Sequence, residues 1–203
     1  LDALRERSRA VIEHSLRLGA AAHPDTIESL RELVREMSSY YSNRIEGQST
    51  HPREIARAIR RDFSHEPTIA RLQRIAVAHI DAERALESMS HGEPRPLSGA
   101  FVQRAHHELY GRLAEDDRTD AEGRVVEPGR FRTERVVVGR HEPPPPESLT
   151  AFVRRFDEVY GRPTRMEDEL LVVAAAHHRM AWIHPFLDGN GRACRLQTHA
   201  ALF

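Results

Sequence analysis

Apolar residues recur at spacings of three and four through most of this chain, a period that predicts a protein built almost entirely of helices. Leu4 to Leu18 reads as one amphipathic helix, ended near Gly19. Thr26 to about Glu46 reads as a second, with Ile27, Leu30, Leu33, Val34, Met37, Tyr41 and Ile45 along its apolar side and Gly47 as its stop. Pro52 opens a short helix through Ile59, and Pro67 opens a longer one through Leu86. Ser98 reads as the cap of a helix running to Leu113. Ser148 to Tyr160 and Glu167 to Ile183 add two more. The second of these is apolar around several faces, through Leu170, Leu171, Val173, Ala174 and Met180, and is expected to be the buried central helix.

One stretch breaks the period. Phe131 to Gly139 holds Val136-Val137-Val138, β-branched residues between Gly129 and Gly139, and reads as a short strand or hairpin. Pro143 to Pro146 must be extended, as a stiff lead-in to the next helix. His91 to Pro96 is a connector, and no internal repeat or low-complexity segment interrupts the pattern.

Composition narrows the function classes. The 203 residues suffice for one domain, or for a core with a helical extension. A formal charge of −1 gives no bulk electrostatic case for nucleic acid or an anionic membrane. No apolar run approaches the roughly 20 residues of a membrane span. The single Cys194 excludes an internal disulfide framework and fits a reducing cytoplasm, the expected location. There is no lysine. A Walker-type phosphate loop, a protein-kinase site and Schiff-base chemistry are therefore excluded, and any phosphate must be held by arginine, backbone amides and metal. The first residue is Leu1, which leaves room for an upstream segment.

The chemistry concentrates in His184-Pro185-Phe186-Leu187-Asp188-Gly189-Asn190-Gly191-Arg192-Ala193-Cys194-Arg195. Pro185 cannot continue a helix, so His184 sits at a forced corner with a pKa suited to a general base. Gly189 and Gly191 let backbone N–H groups approach an anion closely, at what would be the amino terminus of the next helix. A carboxylate beside such a cradle repels phosphate unless a divalent cation bridges them, so Asp188 implies Mg²⁺. Arg192 and Arg195, three apart, share a helical face from which both can fork onto phosphate oxygens. The pairs His106-His107 and His177-His178 point in different directions on their helices and read as structural.

This string resembles the Fic-family signature, His-Pro-Phe-x-(Asp/Glu)-Gly-Asn-Gly-Arg-x-x-Arg, at every specified position. The resemblance implies an all-α Fic fold, a helical bundle with a short β-hairpin flap, and transfer of AMP from ATP to a hydroxyl of a protein. His184 would deprotonate a Ser, Thr or Tyr hydroxyl of the target, and Asp188 would hold Mg²⁺ on the α- and β-phosphates. Asn190 and the amides of Gly189 and Gly191 would cradle phosphates; Arg192 would offset the leaving pyrophosphate, and Arg195 would hold the γ-phosphate. Phe186 would anchor the loop, and Cys194 reads as a small buried hydrophobe. Gly129 to Arg132, followed by Val136 to His141, is similar to the family's flap, which aligns an extended target segment by strand addition. Val138, Gly139, Arg140 and His141 would then border the nucleotide.

A second resemblance lies upstream. Ser42-Asn43-Arg44-Ile45-Glu46-Gly47 resembles the family's inhibitory motif, (Ser/Thr)-x-x-x-Glu-(Gly/Asn), in its class with an amino-terminal inhibitory helix. Glu46 stands at a helix end where the dipole disfavours an anion. The implied partner is Arg195, which an engaged Glu46 would deny to the γ-phosphate. The division expected is an amino-terminal helical region over 1–97, with the inhibitory helix at about 26–47, and a catalytic core over 98–203. The chain stops eight residues after Arg195, whereas family members continue with helices lining the adenine pocket, so the core is expected to be truncated or open on the purine side. The expected partners are ATP and a protein substrate, with no membrane and no nucleic acid, and a homodimer is left open. Two other readings fit the same residues: a de-AMPylase in which Glu46 orients water, and a non-catalytic helical module that senses nucleotide.

Overall fold

The computed structural model describes residues 1–48 and 50–203, and among them the chain forms eight α-helices. These are α1 (Asp2–Ala21), α2 (Pro24–Ile45), α3 (Pro52–Ile59), α4 (Pro67–Glu87), α5 (Gly99–Tyr110), α6 (Leu149–Tyr160), α7 (Glu169–Ile183) and α8 (Asn190–Leu202). The all-α expectation holds. Three helices begin on a proline, whose fixed φ suits the first turn and whose missing N–H costs nothing there. Each is capped by the residue before it: His23, His51 and Glu66 accept from backbone N–H groups of the first turn. Ser98 likewise accepts from the Phe101 N–H at 3.1 Å.

Two helices hold the core together. On one side α5 turns Phe101, Ala105 and Leu109 toward Ile75, Ala78, Ala82 and Leu86 of α4 and Leu196 and Ala200 of α8. On the other, Val102 of α5 and Ala193 and Cys194 of α8 join Leu149, Val153 and Phe156 of α6 and Ala176, Met180 and Ile183 of α7. The centre is thus the α5–α8 pair, not α7 as its composition suggested. Only Val173, Ala176, Met180 and Ile183 of α7 are fully buried, and α1 packs along its outer side. Apolar composition spread around a helix therefore marks two shallow contacts here and not one deep position.

The face that α2 presents is also unlike the one its pattern suggested. Leu30, Leu33, Val34, Met37, Tyr41 and Ile45 remain about half exposed or more, whereas Arg35, Ser39, Ser42 and Asn43 are buried. The buried side is polar because it makes specific bonds. Ser39 donates to the Ala76 carbonyl of α4 at 2.9 Å, and Arg35 pairs with Glu87 of α4. Hydrogen bonding and charge, more than apolar burial, dock this helix.

Phe131 to Gly139 forms no strand. The expected hairpin reduces to a single antiparallel bridge between Val138 and His141, closed across Gly139 and Arg140 by bonds of 2.9 and 3.0 Å. Gly139 takes φ +61° in this tight reversal. Val136 to Val138 have β-propensity but no neighbouring strand among the described residues to pair with, and Val137 stays exposed.

Candidate active site

The site is assembled at the junction of α7 and α8. Pro185 stops α7, and His184 takes a left-handed conformation at φ +51°, with its N–H still bonded to the Met180 carbonyl at 3.0 Å. Arg132, itself buried, fixes this corner from outside. Its Nε donates to the His184 carbonyl at 2.8 Å, Nη2 to the Pro144 carbonyl at 2.6 Å and Nη1 to the Glu134 carbonyl at 3.0 Å. Its own N–H bonds the Pro185 carbonyl at 2.9 Å. Burial lowers the pKa of the His184 imidazole below its ordinary 6.5, so the ring is neutral and basic at physiological pH.

The loop beyond is braced from within. Asn190 is buried, and its amide makes a reciprocal pair with the backbone of Phe186: Oδ1 accepts from the Phe186 N–H at 2.8 Å and Nδ2 donates to the Phe186 carbonyl at 2.9 Å. The Asn190 side chain therefore ties the loop and is spent on it; what it offers an anion is its backbone N–H. Phe186 is fully buried, as expected of an anchor, and stacks on His106 at 3.9 Å between centroids. His106 accepts from the Gly129 N–H through Nδ1, which leaves Nε2 as the donor to the Asp188 carbonyl at 3.1 Å. Burial pushes its pKa down to about 4, so it works as a neutral strut, in line with the structural reading of that His-His pair.

Gly189 caps α8 at φ +74°, and the N–H groups of the first turn that follows have no carbonyl four residues back. They form an anion cradle reinforced by the helix dipole. Asp188 stands at its rim. Its Oδ2 accepts from the Tyr110 hydroxyl at 2.7 Å and from Arg192 Nη2 at 3.2 Å. Arg192 is buried beneath the loop, donating also to Tyr110 at 2.6 Å and to Gln48 Oε1 at 2.9 Å. In this state it supports Asp188 and is not free to meet a leaving group.

The cradle already faces a carboxylate. At the end of α2, Gly47 (φ +75°) bonds back to Arg44 at 3.1 Å and Gln48 to Asn43 at 2.9 Å, a reversal that leaves Glu46 as the last helical cap. Glu46 Oε1 accepts from Arg195 Nη2 at 2.5 Å. Ser42, one turn earlier, accepts from Arg195 Nε through its hydroxyl at 2.8 Å and from Nη2 through its carbonyl at 3.2 Å. A Cβ added to Gly191 would lie 2.3 Å from Glu46 Oε1 and 3.0 Å from Arg195 Nη1. The anion thus rests directly on the first turn of α8, where the dipole compensates for its bad position at the end of α2.

The Fic/DOC family profile matches residues 96–202, just over half of the chain. The chain belongs to the Fic/DOC family. A protein adenylyltransferase Fic of Nematostella vectensis is 28% identical over 170 residues, which cover 80% of this chain and 36% of that protein. The same-named protein of Drosophila willistoni is 37% identical over 78 residues, 38% of this chain and 16% of that one. The chain therefore spans about a third or less of the length of these curated relatives. Among solved structures, a Fic domain containing signaling protein from Bacteroides thetaiotaomicron has a TM-score of 0.72 at 18% identity, covering 96% of this chain and 72% of that one. Fic-1 from C. elegans has a TM-score of 0.71 at 22% identity, covering 98% and 56%. These two establish likeness of fold.

In this Fic protein the loop residues His184 and Asp188 to Arg195 are contiguous, and α2 delivers Ser42 and Glu46 to the same helix end. The turn from Val138 to His141, expected as a flap, is held against α7. His141 pairs its Nε2 with the Trp182 carbonyl at 2.8 Å, so its side chain anchors the turn to α7 instead of reaching for a nucleotide. Tyr110, Gln48 and Arg132 support the loop from distant points of the chain, with no local sequence signal for that role. Cys194 is buried, with burial pushing its thiol up to about 12, as befits a core residue. No helix of the described residues is long and apolar enough to cross a membrane.

Proposed function

We propose that this chain is a protein adenylyltransferase that moves AMP from ATP to a Ser, Thr or Tyr hydroxyl of a protein, and that Glu46 holds it in check. On this reading residues 98–203 carry catalysis and 1–97 carry the brake. The family membership supports the reaction class, and the relatives' name supports the choice of AMP. One observation carries the regulatory half: a carboxylate occupies the amino terminus of α8 and the guanidinium of Arg195, the place and the charge a triphosphate requires.

With Glu46 displaced, Arg195 is free to fork onto the γ-phosphate, and the first-turn N–H groups of α8 take the phosphate oxygens. His184 accepts the proton of the target hydroxyl. That oxygen bonds the α-phosphorus, the bond from phosphorus to the β-bridging oxygen breaks, and pyrophosphate leaves with the electron pair. Asp188 suits a Mg²⁺ ion. Oδ2 takes both of its hydrogen bonds, Oδ1 takes none among the described residues, and the side chain stands partly open at the rim. Bound there, Mg²⁺ would neutralise phosphate charge. The backbone of Val136 and Val137, which pairs with no other strand among the described residues, would take the target as an added strand.

The test is transfer of label from α-³²P-ATP with Mg²⁺. Glu46→Gly should modify itself or added protein at least tenfold faster than wild type, and Glu46→Gly combined with His184→Ala should not. Equal rates with and without Glu46 would remove the brake, and label retained without His184 would remove the catalytic role. Because Glu46 is held beside the cradle, it is also placed to orient a water for the reverse reaction. Release of AMP from a modified target by wild type but not by Glu46→Gly would favour that direction.

A further inference from the structure

Away from the loop, three helices bring charge into the interior. Glu83 and Glu87 of α4 lie one turn apart and are both buried, and His199 of α8 faces them. One ligand atom from each lies within 4.8 Å of the others. Glu87 Oε1 is 2.8 Å from His199 Nε2, and Glu83 Oε1 is 3.8 Å from the same nitrogen. Two donors each about 2.1 Å from a tetrahedrally bound ion are roughly 3.4 Å apart. Both measured separations bracket that value, within reach of small side-chain rotations.

The two carboxylates have one bonded arginine between them among the described residues. Arg35 of α2 is bonded to Glu87, through Nε at 3.2 Å to Oε1 and through Nη2 to Oε2. It offsets one carboxylate. Glu83 Oε1, on a side chain only 1% exposed, has no hydrogen-bond partner among the described residues. An unpaired carboxylate oxygen at that depth is costly unless a cation or proton meets it. Beside it, both ring nitrogens of the buried His79 also lack a hydrogen-bond partner among the described residues. Glu83, His79 and His199 line one crevice of about 390 Å³ between α2, α4 and α8. The crevice gives an ion a route in and room for water at its remaining positions.

We propose that Glu83, Glu87 and His199 form a binding site for a borderline-soft divalent cation of the Zn²⁺ type, joining α4 to α8. Imidazole with carboxylates selects such ions over Mg²⁺, which asks for an all-oxygen octahedron. On binding, His199 coordinates as the neutral ring with its proton on Nδ1, and the ion takes the place of the Nε2 proton against Glu87 Oε1. Glu83 Oε1 completes the protein ligands. Arg35 keeps Oε2, so the site touches the helix that carries Glu46 without using the catalytic loop.

The decisive experiment titrates Co²⁺ into the chelator-treated full chain and follows its visible absorption. One equivalent should bind with the intense bands of a low-coordinate site, and Zn²⁺ should displace it. Glu83→Gln preserves shape while removing the charge, and should weaken binding at least tenfold; His199→Ala should abolish the bands. Asp188→Asn should leave them unchanged, which separates this site from the loop. No Co²⁺ bands, or a Co²⁺ affinity in Glu83→Gln equal to that of wild type, would overturn the proposal. Should His199→Ala fail to fold, Glu83→Gln alone decides it. Failure here leaves the Glu46→Gly assay untouched, since that assay reads the loop.

Discussion

The Tyr110 hydroxyl donates a hydrogen bond to Asp188 Oδ2 at 2.7 Å while accepting one from Arg192 at 2.6 Å, so one buried phenol from α5 sets the rim of the cradle on α8. Burial raises the Tyr110 pKa well above its ordinary value, which keeps the phenol a donor at any working pH. Tyr110→Phe keeps the ring but leaves Arg192 and Asp188 to each other. The expected loss is about 1–2 kcal/mol of stability. In the Glu46→Gly background AMP transfer should fall at least tenfold, with a raised Mg²⁺ requirement, because Asp188 loses the shorter of the two bonds on Oδ2. Thermal melts and Mg²⁺ titrations of the rate check both.

Gly189 leaves no space for a side chain. It combines φ +74° with an approach so close that an added Cβ would lie 2.3 Å from Tyr110 Cε2. Gly189→Ala therefore meets both backbone strain and a collision with a buried ring. A destabilisation of roughly 2–4 kcal/mol is expected. It should appear as a lower urea midpoint with an unchanged slope. A variant as stable as wild type would mean that the α5–loop contact is not tight.

These two residues illustrate what was legible in the sequence and what was not. Helix starts at Pro52 and Pro67 are legible because proline acts locally, whereas the second helix, read from Thr26, begins two residues earlier at Pro24. The loop was legible because its reactive types are contiguous. Its supports were not: Tyr110 lies 78 residues from Asp188, and Arg132 lies 52 from His184. Nothing local marks such partners. The orientation of α2 misled for a related reason. Its apolar stripe is real, but the buried side was settled by Arg35, Ser39 and Ser42 finding partners on α4 and α8. The valine run misled because β-propensity reads the same with or without a partner strand.

Arg132 carries the corner that presents His184. Three carbonyls, those of His184, Glu134 and Pro144, receive its guanidinium, and burial lowers its own pKa. Lysine has one ammonium on a flexible stem and cannot span the three. Arg132→Lys should therefore rescue little of what Arg132→Ala loses. Both are expected to cost about 2–4 kcal/mol and to depress kcat more than the apparent KM for ATP. Denaturation curves and steady-state kinetics in the Glu46→Gly background test the pair. A lysine variant with full kcat would show that the corner stands without the fork.

The acid limb of the rate profile follows from the burial of His184. Desolvation penalises the imidazolium, so the ring gives up its proton below pH 6.5 and stays a competent base into mildly acidic solution. The sign is definite: activity in Glu46→Gly should be full at pH 7 and lost as pH falls, with its midpoint below 6.5. The profile must be taken at saturating ATP and Mg²⁺, so that phosphate protonation does not set the limb. Arg132 and His141 both add positive charge near the ring and push the same way. Replacing the neighbouring histidine, as His141→Asn, should move the midpoint upward while also freeing the turn from Trp182. A midpoint at or above 6.5 in the parent would mean that the ring is more hydrated than its packing implies, and another base would have to be sought.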